Sequence, residues 1–323
     1  MPTKEPSFNK VNYSLRPNKS VQRKLILECL MRMKQQFPIS DYKYVGFGSF
    51  WFVDFLLAHK VLMIQDMVSI EGYHEYEQRA NFNKPFACIR IEPGESTLVL
   101  PHLNLDKKRS VIWLDYDSGP EGPVCSDIRL VCESAMEGSV VLVTINSSIE
   151  KVKRQKDVSG NDLNEEAALR FFFGDLVPSA LPKDAFEKEV YPRMLGEILI
   201  DHFERATRKA GRRERFYPLF NFHYSDGTSM ITVGGIILGD NEKQKLDKCK
   251  LEDIDYVTGR EQFSISVPPL THKEKIHLDQ ILPSDSMPSD EQIASLGFKL
   301  TSEQIYSYAK FYRHYPVYGE VQF

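Results

Sequence analysis

The sequence predicts an α/β fold: a doubly wound, mostly parallel sheet with a terminal antiparallel hairpin, an N-terminal helix and a small C-terminal module. Short apolar segments alternate with helical segments over most of the chain, as in consecutive strand–helix units. The runs at 111–114 and 140–143 are apolar at every position, which is typical of strands buried on both faces of a parallel sheet. Residues 225–228, Ser-Asp-Gly-Thr, join two strand-like segments, and Asp-Gly at such a junction indicates a hairpin.

The predicted elements follow one another in a regular order. An amphipathic helix is predicted at 18–36, and the proline at 38 ends it because the residue before a proline avoids helical geometry. Hairpin strands are predicted at 216–224 and 230–238. Residues 151–170 are charged and are expected to form a loop over the edge of the sheet. The parallel strands are predicted at 42–46, 67–71, 87–91, 111–116 and 139–146, and the remaining helices at 50–62, 73–81, 125–136 and 186–210.

The composition changes near residue 241, where lysine and aspartate become frequent, and this change predicts a boundary. We therefore expect an N-terminal helical segment at 1–40, a main α/β domain at 41–240 and a small C-terminal α+β module at 241–323. Within the module we predict a strand at 263–267 and two short helices separated by Gly297. The residue pairs that indicate capping boxes at these helix starts are Ser289 with Gln292 and Thr301 with Gln304.

The bulk composition limits the class of protein. Of the 323 residues, 42% are hydrophobic and 27% are charged, which is ordinary for a globular protein. A net charge of -4 and a pI near 6.1 provide no overall attraction to nucleic acid. A basic stretch does precede the predicted hairpin, so phosphate contact stays open as an alternative to a charged helix end. The cations of this stretch are Arg205, Arg208, Lys209, Arg212, Arg213 and Arg215.

Cysteine usage and hydropathy indicate the compartment. The five cysteines form no CxxC pair and are odd in number, so we expect buried thiols in a reducing environment. No apolar run approaches the roughly 20 residues of a membrane span. The eight histidines form no HExxH motif or comparable set of metal ligands. We therefore predict a cytoplasmic protein with no membrane segment and no bound metal.

Two glycines follow the first predicted strand, and a carboxylate ends the second. Ser49 is expected to cap a helix that begins at Phe50. A glycine turn between strand and helix lets a ligand approach the backbone, and an acid at the end of the next strand accepts hydrogen bonds from the ribose of an adenosine cofactor. The alternative is a plain turn that needs glycine for its backbone angles, beside an ordinary exposed carboxylate. The candidate cofactor-binding residues of this region are Gly46, Phe47, Gly48, Ser49 and Glu71.

Polar side chains also follow the fourth strand, at Asp115, Tyr116 and Asp117. Ligands of open α/β sheets bind outside the carboxyl ends of the strands, so these residues are expected to face the predicted cleft. Either aspartate is a candidate for cofactor contact, for a catalytic base or for a simple turn cap. Together with Asn146 at the end of the fifth strand, the aspartates also form an alternative magnesium site.

Three cations lie near the start of the N-terminal helix, at Arg16, Lys19 and Arg23. Such cations either meet a cofactor carboxylate or an anionic substrate, or they form a solvated helix face. The sequence leaves both interpretations open.

Together, these motifs resemble a class I S-adenosylmethionine-dependent methyltransferase, a family with a Rossmann-like fold. More narrowly, the stretches YVGFGSFWFVDF, SIE and VIWLDYDS are similar to a family of bacterial proteins described as putative O-methyltransferases, over about residues 10–240. The resemblance implies that residues 46–49 lie against S-adenosylmethionine. It also implies that Glu71 holds the ribose and that the residues from Asp115 to Asp117 flank the methyl group.

The end of the fourth strand bears on the acceptor. It carries Asp-Tyr-Asp-Ser rather than the Asn/Asp-Pro-Pro-Tyr/Phe of many amino-methyltransferases. The resemblance therefore favours methyl transfer to an oxygen acceptor, with Asp117 as the base and Tyr116 at the acceptor pocket. The acceptor substrate itself is unknown from the sequence.

Two other functions stay open. One is a catalytically silent scaffold that keeps the fold and works within a protein complex. The other is an NAD-dependent oxidoreductase, whose fingerprint has a similar layout. The third glycine of that fingerprint is absent, and the Asp-Gly hairpin after the fifth strand also argues against this class.

Overall fold

A mixed sheet of eight strands organises the part of the chain that the computed structural model describes, residues 15–72, 74–153, 155–156, 159–209, 211–284, 290–295 and 297–317. The strands are β1 (Lys43–Gly46), β2 (Asp66–Glu71), β3 (Ile89–Pro93), β4 (Ser110–Asp115), β5 (Val140–Asn146), β6 (Arg215–Ser225), β7 (Ser229–Leu238) and β8 (Phe263–Ile265). Their order is β3-β2-β1-β4-β5-β7-β6-β8. Strands β1 to β5 are parallel, β7 is antiparallel to β5 and β6, and β8 is parallel to β6. The predicted doubly wound sheet with a terminal hairpin is confirmed.

Helices occupy most of the connections between these strands. They are α1 (Pro17–Met33), α2 (Val53–Leu62), α3 (Glu77–Asn83), α4 (Ser96–Val99), α5 (Val124–Ser134), α6 (Glu150–Lys153), α7 (Glu165–Phe173), α8 (Tyr191–Lys209), α9 (Asp240–Lys248), α10 (His272–Asp279), α11 (Asp290–Ser295) and α12 (Ser302–Phe311). Among the described residues, no helix combines the length and the apolar composition that crossing a lipid bilayer requires.

Both faces of the sheet are buried, because successive strand residues point to opposite layers. On β4, Val111 and Trp113 pack with α1, α2 and the C-terminal residues, on what we call the α1 face. Ile112 and Leu114 pack with α5, α7 and α8, on what we call the α5 face. This alternation explains the continuously apolar strands of the sequence. It also means that consecutive residues at a strand end meet different layers.

The helix after the glycine turn begins later than the sequence predicts. Helix α2 begins at Val53, so the prediction that Ser49 caps a helix starting at Phe50 was wrong. Instead, Phe52 N donates to Gly48 O at 2.9 Å, and Ser49 and Phe52 take positive φ angles of 48° and 45°. Phe52 is only 1% exposed. Burial of this ring in the core offsets the cost of a left-handed backbone, which bulky residues otherwise avoid.

The segment predicted as a charged loop at 151–170 contains helical structure. Helix α6 occupies its start, and α7 begins within it at Glu165. Asn164 caps α7, because its side chain accepts a hydrogen bond from Ala167 N at 2.8 Å. The buried residues of α7, Ala168, Leu169 and Phe173, pack on the α5 face. Two predicted helix starts are also displaced, since α3 begins at Glu77 and α8 at Tyr191.

The hairpin supplies the cap for the start of α1, 207 residues away along the chain. Asp226, in the turn between β6 and β7, accepts hydrogen bonds from Asn18 N at 3.0 Å and from Lys19 N at 2.9 Å. Backbone donors in the first turn of a helix have no partner within the helix itself. The Asn18 side chain extends the junction, since Nδ2 donates to Ser225 O at 2.9 Å and Oδ1 accepts from Val267 N at 2.8 Å. The start of α1 is therefore fixed to the hairpin and to the residues after β8.

The C-terminal residues share the core of the α1 face. Phe263 of β8 packs edge-on against Phe222 and Phe311, with ring centroids 5.9 and 6.0 Å apart. Tyr308 and Tyr315 are also buried in this core. The division of the chain at residue 241 stays a prediction.

Capping boxes begin two helices of the C-terminal part. The predicted pair, Thr301 with Gln304, is present at the start of α12. Helix α10 begins with an equivalent pair, Thr271 with Glu274, which was not predicted from the sequence. The pair predicted at Ser289 lies outside the described residues.

Candidate functional site

The carboxylates of Glu71 and Asp115 occupy equivalent positions in the register of β2 and β4, on either side of the glycine turn. Gly46, the last residue of β1, pairs with Ser69 of β2 and with Trp113 of β4. Glu71 and Asp115 each lie two residues further along, so they share the faces of Ser69 and Trp113. Because β1 lies between β2 and β4, the two strand ends are about 10 Å apart, twice the usual strand spacing. The glycine turn leaves the sheet between them.

A chain of hydrogen bonds links the glycine turn to Glu71. Gly48 N donates to Ser69 Oγ at 2.9 Å, and Ser69 Oγ donates to Glu71 Oε1 at 2.8 Å. A Cβ atom on Gly48 would lie 2.4 Å from the Phe52 ring and 2.5 Å from Ser69 Oγ. Glycine is therefore required at position 48 by close packing of the turn against β2. The turn in effect positions the Glu71 carboxylate.

Glu71 is a buried acid with a perturbed pKa. Burial raises the pKa of Glu71 from 4.5 to about 7, although hydrogen bonds from Ser69 and from the Gly48 backbone act in the opposite direction. The residue is 8% exposed. An ionised carboxylate has acceptor capacity for further donors beyond these. A hydroxyl group that donates to Glu71 would stabilise the charged form that burial disfavours.

Asp115 pairs with a buried lysine from α1. Lys19 Nζ donates to Asp115 Oδ1 at 2.8 Å. The side chains are 2% exposed for Lys19 and 19% for Asp115, so the aspartate is the more open member of the pair. Nζ also lies 5.0 Å from the centroid of the Trp113 ring and 5.6 Å from that of Tyr224. Burial lowers the pKa of Lys19, and the charge of Asp115 opposes this shift.

A second buried ion pair lies one helical turn further along α1. Arg23 Nε donates to Asp54 Oδ1 of α2 at 2.6 Å, and the arginine side chain is 4% exposed. The interpretation of these cations as a solvated helix face is therefore wrong for Lys19 and Arg23. Both carry charge into the α1 face of the sheet.

Tyr116 faces the α5 layer, where Asp127 of α5 holds its hydroxyl. Tyr116 Oη donates to Asp127 Oδ2 at 2.5 Å, and Ser96 Oγ donates to the same oxygen. The Tyr116 ring packs edge-on against Phe47, with centroids 5.0 Å apart. Burial raises the pKa of both Tyr116 and Asp127. Asp127 thus ties the segment after β3 to the end of β4, and the catalytic role of Tyr116 stays a prediction.

The aromatic residues of the glycine turn differ in exposure. Phe50 is 9% exposed, packs edge-on against Tyr76 with ring centroids 5.6 Å apart, and lies 3.9 Å from the guanidinium carbon of Arg79. Trp51 is 41% exposed, so a large part of its side chain faces solvent. The turn therefore presents the apolar surface of one of its two aromatic side chains to solvent.

Asp117 is exposed, and Glu121, four residues further along the chain, borders a polar cavity of about 370 Å³. Asn146 N donates to Ser118 O at 2.8 Å, which joins the end of β5 to the segment after β4. Lys151 Nζ lies 3.6 Å from Glu121 Oε1, whereas the buried Glu121 Oε2 has no hydrogen-bond partner among the described residues. The cavity is lined by Glu121, Asn146, Ser148, Glu150, Lys151 and Gln155.

The alternative magnesium site gains no support from the geometry. Asn146 Oδ1 accepts a hydrogen bond from Ser148 N at 2.8 Å, which is a turn-forming role. Asp115 is engaged by Lys19. Within the described ranges, no group of three or more His, Cys, Asp or Glu side chains is arranged to hold a metal ion.

The basic stretch before the hairpin is largely ion-paired. Arg205 pairs with Asp175, Arg208 Nη2 lies 3.1 Å from Glu204 Oε2, and Arg212 Nε lies 3.4 Å from Glu214 Oε2. Nearby carboxylates therefore neutralise three of the six cationic side chains of this stretch. This arrangement favours the charged helix end over a phosphate-binding surface.

Several residues of the candidate site were not predicted from the sequence. Ser69 and Asp127 were missed because a serine within an apolar strand and an aspartate on a helix carry no motif. The polarity of Ser69 two residues before Glu71 was the available signal, since a buried strand rarely includes a hydroxyl without a partner. Glu121 was missed because it lies in a turn after the fourth strand.

The family of the chain follows from its sequence over nearly its full length. Residues 11–323 match the protein family described as "Putative O-methyltransferase". The chain belongs to this family. The doubly wound sheet with its terminal hairpin agrees with the Rossmann-like fold that the resemblance to methyltransferases implies. No curated protein matches its sequence.

Solved structures of other proteins are similar to this chain at low sequence identity. A structure of Trm1 from Pyrococcus horikoshii with S-adenosyl-L-methionine is 11% identical, with a TM-score of 0.45, and covers 72% of this chain and 58% of its own. This chain therefore matches less than two thirds of the length of that protein. An S-adenosylmethionine-dependent methyltransferase from Mesorhizobium loti is 12% identical, with a TM-score of 0.37, and covers 63% of this chain and 95% of its own.

Proposed function

We propose that this methyltransferase binds S-adenosylmethionine across the glycine turn, between Glu71 and Asp115, and transfers the methyl group to an oxygen acceptor with Asp117 as the base. The proposal depends most on the positions of Glu71 and Asp115. Each lies two residues beyond the residue that pairs with Gly46, on the strands that flank β1. Residues 46–49 form the floor of this site.

The residues present fit this cofactor. Ribose hydroxyls are donors, and Glu71 is a carboxylate that gains from donors because it is buried. The amino-acid end of the cofactor carries an ammonium group, which suits the partly exposed Asp115. NAD would instead bring a negatively charged pyrophosphate close to the same two acids, which is unfavourable. This contrast favours S-adenosylmethionine over the oxidoreductase alternative.

Methyl transfer requires the protein to position the cofactor and the acceptor and to remove a proton from the acceptor. When bound, S-adenosylmethionine supplies a methyl group on a positively charged sulfur. Asp117 would accept the proton of the acceptor hydroxyl, and S-adenosylmethionine held between Glu71 and Asp115 would supply the methyl group to the resulting oxygen nucleophile. The polar cavity next to this segment is the proposed acceptor site, and its size suits a small polar molecule.

Calorimetric titration with S-adenosylmethionine, S-adenosylhomocysteine and NAD tests the cofactor site. We expect saturable binding of the first two ligands and none of NAD. Glu71→Ala should weaken binding about 10- to 100-fold, because the buried donors of ligand and turn lose their acceptor. Glu133→Ala, at an exposed position of α5, is the matched control and should bind as the wild type does. Unchanged affinity in a folded Glu71→Ala protein would remove Glu71 from the site.

Asp117→Asn separates catalysis from binding. The variant should bind S-adenosylmethionine normally and lose turnover, because an amide cannot accept the proton. Measurement requires an acceptor, which a screen of small hydroxyl compounds with the wild-type protein is designed to find. Cofactor binding without turnover on any acceptor, in the presence or absence of partner proteins, would favour the silent scaffold instead.

A further inference from the structure

We propose that Glu121 makes the acceptor site selective for small hydroxyl compounds that also carry an ammonium group. The inference rests on the proposed function, because the polar cavity that Glu121 borders is the proposed acceptor site. It starts from a carboxylate whose charge is only partly compensated, in a cavity wall that carries more acids than cations.

The carboxylate of Glu121 is incompletely paired. Lys151 Nζ lies 3.6 Å from Oε1, which is longer than a hydrogen bond between an ammonium and a carboxylate. Oε2 is buried and has no hydrogen-bond partner in the part of the chain that the structure describes. An ionised carboxylate has about four lone-pair sites for donors, so most of this capacity is unused. An ammonium group on a ligand brings three N–H donors together with the opposite charge.

Close packing holds Glu121 at the edge of the cavity. A Cβ atom on Gly119 would lie 2.5 Å from Glu121 Oε2 and 2.8 Å from Lys151 Cβ, so glycine at this position lets both side chains pack against the backbone after β4. The Glu121 side chain is 27% exposed. The terminal torsion of a glutamate is broad, so rotation about it turns either oxygen toward the cavity. Glu121 is therefore anchored on one side and accessible on the other.

The buried Tyr191 of α8 does not balance the charge of Glu121. Burial and the charge of Glu121 both raise the pKa of the Tyr191 hydroxyl, which places this group within the electrostatic field of the carboxylate. The phenol is therefore neutral at physiological pH. Oη has no hydrogen-bond partner among the described residues. The positive charge that Glu121 still lacks is left for a ligand in the cavity.

The cavity wall has an excess of negative charge. Its ionisable side chains are two acids, Glu121 and Glu150, and one cation, Lys151. Lys156 follows in the same basic stretch but does not line the cavity, and its Nζ lies 3.5 Å from Asp162. Such a wall attracts a cation and repels a carboxylate or a phosphate, because charges interact strongly where water is partly excluded.

The proposed base lies within reach of a small molecule bound at Glu121. Asp117 is four residues before Glu121 on the same segment, and four residues span at most about 14 Å. The bond from Asn146 N to Ser118 O holds this segment to the end of β5. A ligand whose ammonium meets Glu121 therefore presents its hydroxyl as the group that Asp117 can contact. Charge recognition and proton removal then fall on two different acids.

Ligand-observed NMR titration of the full-length protein tests the proposal. The probes are two sets of hydroxyl compounds of similar size that differ in charge: ethanolamine, ethylene glycol and glycolate, and tyramine, tyrosol and 4-hydroxyphenylacetate. Each is titrated with and without S-adenosylhomocysteine. In at least one set we expect the ammonium compound to bind about 10-fold or more tightly than the neutral one, as for a hydrogen bond between charged groups. The anion should bind most weakly.

Glu121→Gln keeps the size of the side chain and removes its charge, so it should abolish this preference. Glu133→Gln, at an exposed position of α5, is the matched control and should retain it. A folded Glu121→Gln protein that still prefers the ammonium compounds would overturn the role of Glu121.

The wild-type titration alone also decides the proposal, without any variant having to fold. Equal affinities within both sets, a preference for the anions, or no saturable binding of either ammonium compound would overturn it. If S-adenosylhomocysteine binds in the same experiments, the cofactor site of the proposed function stands and only the selectivity is lost. Failure of S-adenosylhomocysteine to bind would instead overturn the proposed function.

Discussion

At the scale of single residues, Glu71 determines the pH dependence expected of the cofactor site. Its pKa of about 7 means that the carboxyl becomes increasingly protonated as the pH falls below 7. A ribose hydroxyl donates to the ionised form, so protonation competes with binding. We expect the affinity for S-adenosylhomocysteine to fall about tenfold between pH 7.5 and pH 6. Calorimetry across this range measures the effect, and Glu71→Gln should bind more weakly without the slope.

The same pKa shift has a separate effect on stability in the absence of ligand. An acid whose pKa is raised by folding stabilises the protein below its unfolded value of 4.5, and the contribution is lost as the pH rises through about 7. Glu71→Gln should therefore gain stability relative to the wild type between these values, by up to about 3 kcal/mol. Urea unfolding at both ends of the range measures the difference. Parallel pH profiles for the two proteins would show that Glu71 is not perturbed.

Gly48 is a second residue with a defined steric role. Gly48→Ala should destabilise the fold by about 1–3 kcal/mol, because its Cβ atom would overlap the Phe52 ring and Ser69 Oγ. Gly72→Ala is the matched control, since a Cβ atom at Gly72 meets nothing within 4 Å. Chemical denaturation of the two variants measures the difference. Equal stabilities would mean that the turn relaxes without cost.

At the scale of elements, the start of α1 depends on the hairpin. Asp226→Ala removes the acceptor for two backbone donors and for the Asn18 side chain, so we expect a loss of about 1–2 kcal/mol. Because α1 carries Lys19, which pairs with Asp115 of the proposed cofactor site, the affinity for S-adenosylhomocysteine should fall as well. Unfolding and calorimetry on the same protein measure both effects.

Thr301→Ala supplies the comparison for this prediction. Thr301 caps α12 through Gln304 N, and α12 packs on the α1 face without reaching the predicted cofactor site. Its loss should therefore cost a similar amount of stability and leave the affinity for S-adenosylhomocysteine unchanged. If the two variants weaken binding equally, the effect of Asp226 is a general consequence of lower stability.

At the scale of the whole molecule, the question is whether residues after 240 form a separate unit. Arg32 Nε of α1 donates to Cys249 O at 2.9 Å, and Lys24 Nζ donates to His314 O at 2.8 Å. We expect a chain truncated after residue 240 to lose cooperative unfolding, because α1 and β6 would expose apolar surface that the C-terminal residues now cover. Circular dichroism during urea unfolding measures this. A sharp transition near the wild-type midpoint would instead support the predicted module boundary.

The architecture was predictable because it depends on local patterns. Fully apolar runs such as 111–114 indicate strands with two buried faces, and Asp226-Gly227 indicates the hairpin. The start of α2 was not predictable in this way, since burial of Phe52 places a left-handed residue where the pattern continued a helix. Tertiary packing there overrides local preference.

The sequence alone determined the order of the elements and the two acids of the candidate site, because both follow from strand ends and their spacing. Only the tertiary structure brought Lys19 to Asp115, Asp127 to Tyr116 and Asp226 to the start of α1. These contacts join residues that are distant in the chain or lie on different layers, and no periodicity encodes which strand end a helix will meet. Packing of α1 and α5 on opposite faces of one sheet decides it.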